Sequence, residues 1–179
     1  MLDPRRNPPQ EVYVWDPFVR IAHWALVIAV AIAYLVEAPR ALHVYAGYAA
    51  AALIAARIAW GFLGTGHARF AAFVYPPRTV FRYVRDLLHL RQHERYTGHS
   101  PGGGYVILSM LGLLAATVLT GIAAHGRWLD GWETLDAWHE GLAYAALGVI
   151  GVHIAGVLLR SFVYGQNLVR AQFTGYKRP

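Results

Sequence analysis

The segment Trp138–Phe162 constrains the fold more than any other part of the chain. It is almost wholly apolar and exceeds the run of about 20 residues that a helix needs to cross a hydrocarbon core about 30 Å thick. It carries two histidines, His139 and His153. At about 1.5 Å and 100° per residue, the step between them covers roughly 21 Å and leaves both imidazoles within about 40° of one helix face. A membrane helix with two potential ligands at two depths requires partners for them elsewhere in the chain.

Three further segments approach or exceed the spanning length: Val19–Val36, Ala41–Phe62 and Tyr105–Ala124. With 56% hydrophobic and 15% charged residues and a positive mean hydropathy, the chain is too apolar for an ordinary soluble domain. The expected architecture is all-α, an integral membrane four-helix bundle forming a single domain over residues 1–179. The first span follows eighteen residues that contain four prolines and lacks a small-residue cleavage site, so it is expected to stay in the mature protein rather than be removed as a signal peptide.

The formal charge of +6 does not indicate nucleic acid, because its distribution is that of a membrane protein. Of sixteen Lys and Arg, all but Arg40 and Arg127 fall in the N-terminal arm, between Arg57 and Arg95, in the C-terminal tail, or at adjoining helix ends. With four spans these regions share one side, and the positive-inside rule places both termini in the cytoplasm. Glu37, Asp130, Glu133 and Asp136 fall in the outer loops. Trp15, Trp24 and Trp60 are expected at the inner interface, and Trp128, Trp132 and Trp138 at the outer one.

Cysteine is absent, which excludes disulfides, iron–sulfur clusters, zinc–thiolate sites and covalently attached haem. Histidines are therefore the main candidate ligands. Helix topology puts His23 and His153 near the inner ends of their spans and His43 and His139 near the outer ends. Two bis-imidazole pairs follow, His43–His139 outside and His23–His153 inside. Such pairs suit b-type haem, whereas zinc or di-iron centres would want Cys or inward carboxylates, which the spans lack. His125 could replace His139 in the outer pair, and His99 could approach the inner one; His67, His89 and His93 read as surface residues. Arg57 lies at the depth of the inner pair, either as a partner for a haem propionate or snorkelling to the headgroups. A six-coordinate haem leaves no open position at iron, so the expected chemistry is outer-sphere electron transfer.

Two connecting segments carry further signals. Arg78–Arg91 sets Val80, Phe81, Val84, Leu87 and Leu88 against Arg78, Arg82, Arg85 and His89, as an interfacial amphipathic helix or a solvated basic loop helix would. Gly98-His99-Ser100-Pro101-Gly102-Gly103-Gly104 is turn-forming and lacks the Lys-Ser/Thr ending of a phosphate-binding loop. In the third span Gly112, Thr117, Thr120 and Gly121 are available for close helix contact. In the fourth, the small residues Gly141, Ala145, Gly148 and Gly151 are expected to make room for a porphyrin.

Taken together, these residues resemble the bacterial cytochrome b561 and nickel–iron-hydrogenase cytochrome b family over nearly the whole chain. The resemblance rests on Val14-Trp15-Asp16-Pro17-Phe18-Val19-Arg20-Ile21-Ala22-His23-Trp24, on His43 through Gly47 to Arg57-Ile58-Ala59-Trp60-Gly61-Phe62, and on Ala68-Arg69-Phe70. It continues through Gly98-His99-Ser100-Pro101-Gly102-Gly103, Trp138-His139-Glu140 and His153 to Gln166-Asn167-Leu168-Val169-Arg170. It implies a di-haem, quinone-linked cytochrome of the bacterial inner membrane, with two haem b groups held by His23, His43, His139 and His153. It also implies a quinone site at the loop leading into the third span, where Ser100 stands in place of the family's common Asn.

The function expected on these grounds is electron relay between the quinone pool and a periplasmic cytochrome c, dehydrogenase or hydrogenase, as a subunit of a quinone-linked oxidoreductase. The alternatives are a stand-alone superoxide:quinone oxidoreductase and, with less to support it, a metal-ion transporter. A homo-oligomer is compatible with the sequence.

Overall fold

The computed structural model describes residues 11–36, 38–89, 96–127 and 132–177. Glu37, Arg91, His93, Arg95, Trp128 and Asp130, and most of the N-terminal arm, lie outside these residues. The chain runs β1 (Val12–Tyr13), α1 (Pro17–Leu35), α2 (Arg40–Leu63), α3 (Pro77–Leu88), α4 (Pro101–Gly126), α5 (Trp132–Tyr164), α6 (Leu168–Thr174) and β2 (Tyr176–Lys177), with two single 3₁₀ turns before α3. α1, α2, α4 and α5 are each long and apolar enough to cross a membrane. The protein is an all-α membrane bundle.

α1 and α4 begin two and four residues before their apolar runs because polar caps start them. Asp16 accepts a hydrogen bond from the Val19 amide at 2.9 Å and Pro17 follows at the first helical position, a pairing that satisfies an orphan donor and presets φ. Ser100 and Pro101 start α4 the same way. Asn167 caps α6, accepting from the Arg170 amide at 2.7 Å.

Lipid provides no hydrophobic drive between helices, so close approach depends on small side chains. In α2 the buried residues are Ala46, Ala50, Ile54, Arg57 and Gly61, spaced four, four, three and four apart, which is one helix stripe. In α1 they include Ala22 and Ala29. α4 packs chiefly on α5 and α1 on α2, with α2 also meeting α4. At the centre Ile54, Leu114 and Ala146 form the core, flanked by Leu26, Val30 and Met110. Large apolar side chains such as Leu35, Leu63, Phe62 and Phe162 point outward, as they do where hydrocarbon is the solvent.

Both chain ends meet at one end of the bundle. β1 pairs antiparallel with β2, Val12 opposite Lys177 and Tyr13 opposite Tyr176. Gly175, at φ +87°, turns the chain there, and its carbonyl accepts from the amides of Val14 and Trp15. Lys177 is buried and donates to the Tyr96 carbonyl and, at 3.1 Å, to that of Thr97. The terminal strands and the loop before α4 are thereby joined.

Candidate functional site

The helices bring the four expected histidines together in two facing pairs. The ring centroids of His43 and His139 are 6.0 Å apart, and those of His23 and His153 are 6.5 Å apart. Metal–imidazole bonds of about 2 Å on opposite sides of one ion, with each ring centre roughly 1 Å behind its nitrogen, separate the centroids by about 6 Å. Both pairs therefore have the spacing of two axial ligands to a single metal. α5 is continuous from His139 to His153, so its rise sets the two pairs roughly 21 Å apart along it.

The outer pair is oriented from behind. His139 Nδ1 lies 2.7 Å from the Thr117 carbonyl oxygen of α4, and His43 Nδ1 lies 2.8 Å from that of Ala33 in α1. A carbonyl only accepts, so each Nδ1 carries the proton and each Nε2 keeps the lone pair a metal needs. Between the rings is a cavity of about 390 Å³ lined by His43, His139, Gly47, Tyr34, Arg40 and Gly121, among others. Gly121 is required by contact, because a Cβ there would fall 2.7 Å from His139 Cε1. Tyr34 hydrogen-bonds to the Ala143 carbonyl and so ties α1 to α5 beside this cavity. His125 is exposed but also lines it.

At the inner pair the His23 Nδ1 is buried and has no hydrogen-bond partner. Arg57 is 9% exposed and its Nη1 is likewise unpartnered. The guanidinium lies 5.3 Å from the centre of the Phe70 ring, and Gly61 leaves the space that ring occupies. The burial of Arg57 departs from the expectation that it snorkels to the headgroups. His99 is held between Trp15 at 4.6 Å and Phe73 at 4.4 Å between ring centres. Burial first, then the neighbouring Arg57 and His67 charges, pushes the His99 imidazole down to about 3. Ser100 is 4% exposed, and its hydroxyl caps α4 by accepting from the Gly103 amide at 3.4 Å. Burial raises the adjacent Tyr83 phenol above its ordinary value, with the Ser100 hydroxyl opposing the rise.

The donor set fits haem. Two imidazoles per centre suffice for a porphyrin iron, and among the described residues no three His, Cys, Asp or Glu gather as a bare metal ion would require. The small residues expected to accommodate a porphyrin on α5 require correction. Gly141, Ala145, Gly148 and Gly151 are exposed, with open space around the three glycines. Gly148, nine residues beyond His139, falls about 180° around the helix from it. The small residues that line the cavity of the outer histidines include Gly47, Ala50, Gly121 and, on α5 itself, Ala143. The backbone carbonyls of Ala33 and Thr117 had no sequence signal, since every residue has one.

The family model described as prokaryotic cytochrome b561 matches residues 14–175. A protein named "Probable Ni/Fe-hydrogenase B-type cytochrome subunit" from Bradyrhizobium diazoefficiens is 22% identical, over 93% of this chain and 86% of the relative. Proteins of the same name from Rhizobium leguminosarum bv. viciae and Azotobacter vinelandii are each 25% identical, over 93% of this chain and 88% of theirs. No solved structure matches. Four apolar spans, paired imidazoles and a family match over nearly the whole length lead to one conclusion: the chain belongs to the prokaryotic cytochrome b561 family, as a multi-pass b-type cytochrome of the bacterial inner membrane that transfers electrons.

Proposed function

We propose that the chain holds two haem b groups, one between His43 and His139 and one between His23 and His153, and relays electrons between the quinone pool and a periplasmic redox partner. Both termini then lie in the cytoplasm, the side to which the positive-inside rule assigns the Lys- and Arg-rich segments. The observation that carries this reading is the pair of imidazole separations, 6.0 and 6.5 Å. When bound, haem supplies one-electron outer-sphere transfer.

The chain's own residues orient and neutralise. The Ala33 and Thr117 carbonyls fix the tautomers of His43 and His139, and Arg57, buried with an unpartnered Nη1, would hold a propionate carboxylate of the inner haem. Ser100, at the start of α4, is the proposed quinone contact. Its oxygen accepts from the Gly103 amide, and its hydroxyl proton can be donated to a quinone carbonyl. The partner class is a hydrogenase or related dehydrogenase, since the relatives carry hydrogenase-cytochrome names. Those names favour a partnered relay over a stand-alone superoxide:quinone oxidoreductase.

The deciding experiment is haem stoichiometry by pyridine haemochrome on purified protein. Two haems per chain are expected, falling to one in His43→Ala or His139→Ala and to one in His23→Ala or His153→Ala, with the surviving haem differing between the two sets. Two haems retained in any of these variants would overturn the assignment for that residue.

A further inference from the structure

The 12-residue helix α3 has a face that the bundle does not cover. Tyr83 and Asp86 are buried and fix its rotation. At about 100° per residue, Leu88 and Phe81 fall within about 20° of each other on the side away from them, Val84 sits at the edge of that face against α4, and Arg85, Arg78 and Arg82 fill an adjoining arc of about 60°. Phe81 is 73% exposed and Leu88 68%, and the three arginines are exposed as well. The division differs from a simple apolar side against a basic side, because Val80 and Leu87 are turned partly inward.

Position identifies what covers this face. A Cβ on Gly102, in the first turn of α4, would lie 3.1 Å from Val84 Cγ2. The Tyr105 hydroxyl, one turn on, donates to the Tyr75 carbonyl at 2.9 Å. α3 is thus held at the level where a spanning helix begins, which is the depth of the lipid headgroups. The charges agree: Asp86 faces inward and pairs with Arg85 at 3.1 Å, and Arg78 and Arg82 have no ion pair among the described residues. An apolar stripe flanked by cations at this depth matches the boundary between acyl chains and anionic headgroups.

We infer that α3 lies in the membrane interface, with Phe81 and Leu88 among the acyl chains and Arg78 and Arg82 bound to the phosphates of anionic phospholipid. The chain contains no cysteine, so single spin labels can be placed without background. Full-length protein carrying a label at Phe81→Cys, Leu88→Cys or Arg82→Cys is reconstituted in phosphatidylcholine nanodiscs, with and without phosphatidylglycerol, and examined by power-saturation EPR. Labels at positions 81 and 88 are expected to be relaxed mainly by oxygen and the label at 82 mainly by a water-soluble nickel chelate. Phosphatidylglycerol should deepen the label at 81, and should not do so when Arg78→Gln and Arg82→Gln are added. Equal nickel accessibility at all three positions would overturn the inference, as it would if this face were kept for a protein partner. Depth indifferent to phosphatidylglycerol would overturn the anionic-lipid assignment. Unchanged haem spectra identify labelled samples that are folded.

Discussion

His139 on α5 is fixed from two sides by α4: its Nδ1 lies 2.7 Å from the Thr117 carbonyl oxygen, and Gly121, one turn further on, leaves the space its ring occupies. An alanine at position 121 would put a methyl group 2.7 Å from Cε1 and 2.8 Å from Nδ1, so the ring must rotate or withdraw. Disturbing the orientation of a metal-ligating histidine costs about 10–100-fold in affinity. Gly121→Ala is therefore expected to lose outer haem while keeping the inner one. Haem content after exposure to a haem scavenger, compared with wild type, checks this; equal retention of both haems would count against it.

Between the two histidine levels, Ala146 is fully buried against Ile54 and Leu114, whereas Gly148 is exposed with nothing near it. Ala146→Leu should therefore destabilise the bundle by about 1–3 kcal/mol through overpacking. Gly148→Leu should leave stability unchanged or slightly raised, since glycine is a poor helix residue. Thermal unfolding in detergent distinguishes them, and a Gly148→Leu variant that unfolds earlier than Ala146→Leu would contradict the assigned faces.

These two residues also show how far the sequence could be read. Counting fourteen residues from His139 to His153 found the shared face, and charge and hydropathy found the four spans, because burial in lipid imposes length and composition directly. The same angular count applied to Gly148 would have put it opposite His139; small size alone says nothing about which way a residue points. The β1–β2 pairing was not legible, since two residues from each end of the chain carry no register signal at that separation. Nor were the carbonyls of Ala33 and Thr117, whose role depends on position and not on side-chain identity. Ser100-Pro101 carries a helix-start signal that the turn-forming glycines around it mask.

Arg57 is buried with an unpartnered Nη1 and is proposed to pair with a propionate of the inner haem. A fixed positive charge near a redox centre favours the reduced state, so its removal shifts the potential downward. Arg57→Gln is expected to lower the midpoint potential of the inner haem on the order of tens of millivolts by Coulomb interaction at intermediate dielectric, while the outer haem changes much less. Spectroelectrochemical titration measures both. A downward shift confined to the outer haem, or none, would separate Arg57 from the inner site.

His99 gives the structure an acid limit. Its imidazole, packed between Trp15 and Phe73 with a buried Nδ1, is held down to about 3 by burial and by the positive charges of Arg57, His67, Arg160 and Lys177. Because the folded-state value is depressed from 6.5, the unfolded chain takes up the proton first. The stability associated with neutral His99 is complete above about pH 6.5 and is lost as the pH falls toward 3. The loss is at most about 1.4 kcal/mol for each pH unit crossed. His99→Phe, which keeps an aromatic ring between Trp15 and Phe73 but cannot take up a proton, should flatten this acid slope. Denaturation midpoints of wild type and variant between pH 7 and pH 4 provide the comparison, and parallel slopes would show that the acid sensitivity arises elsewhere.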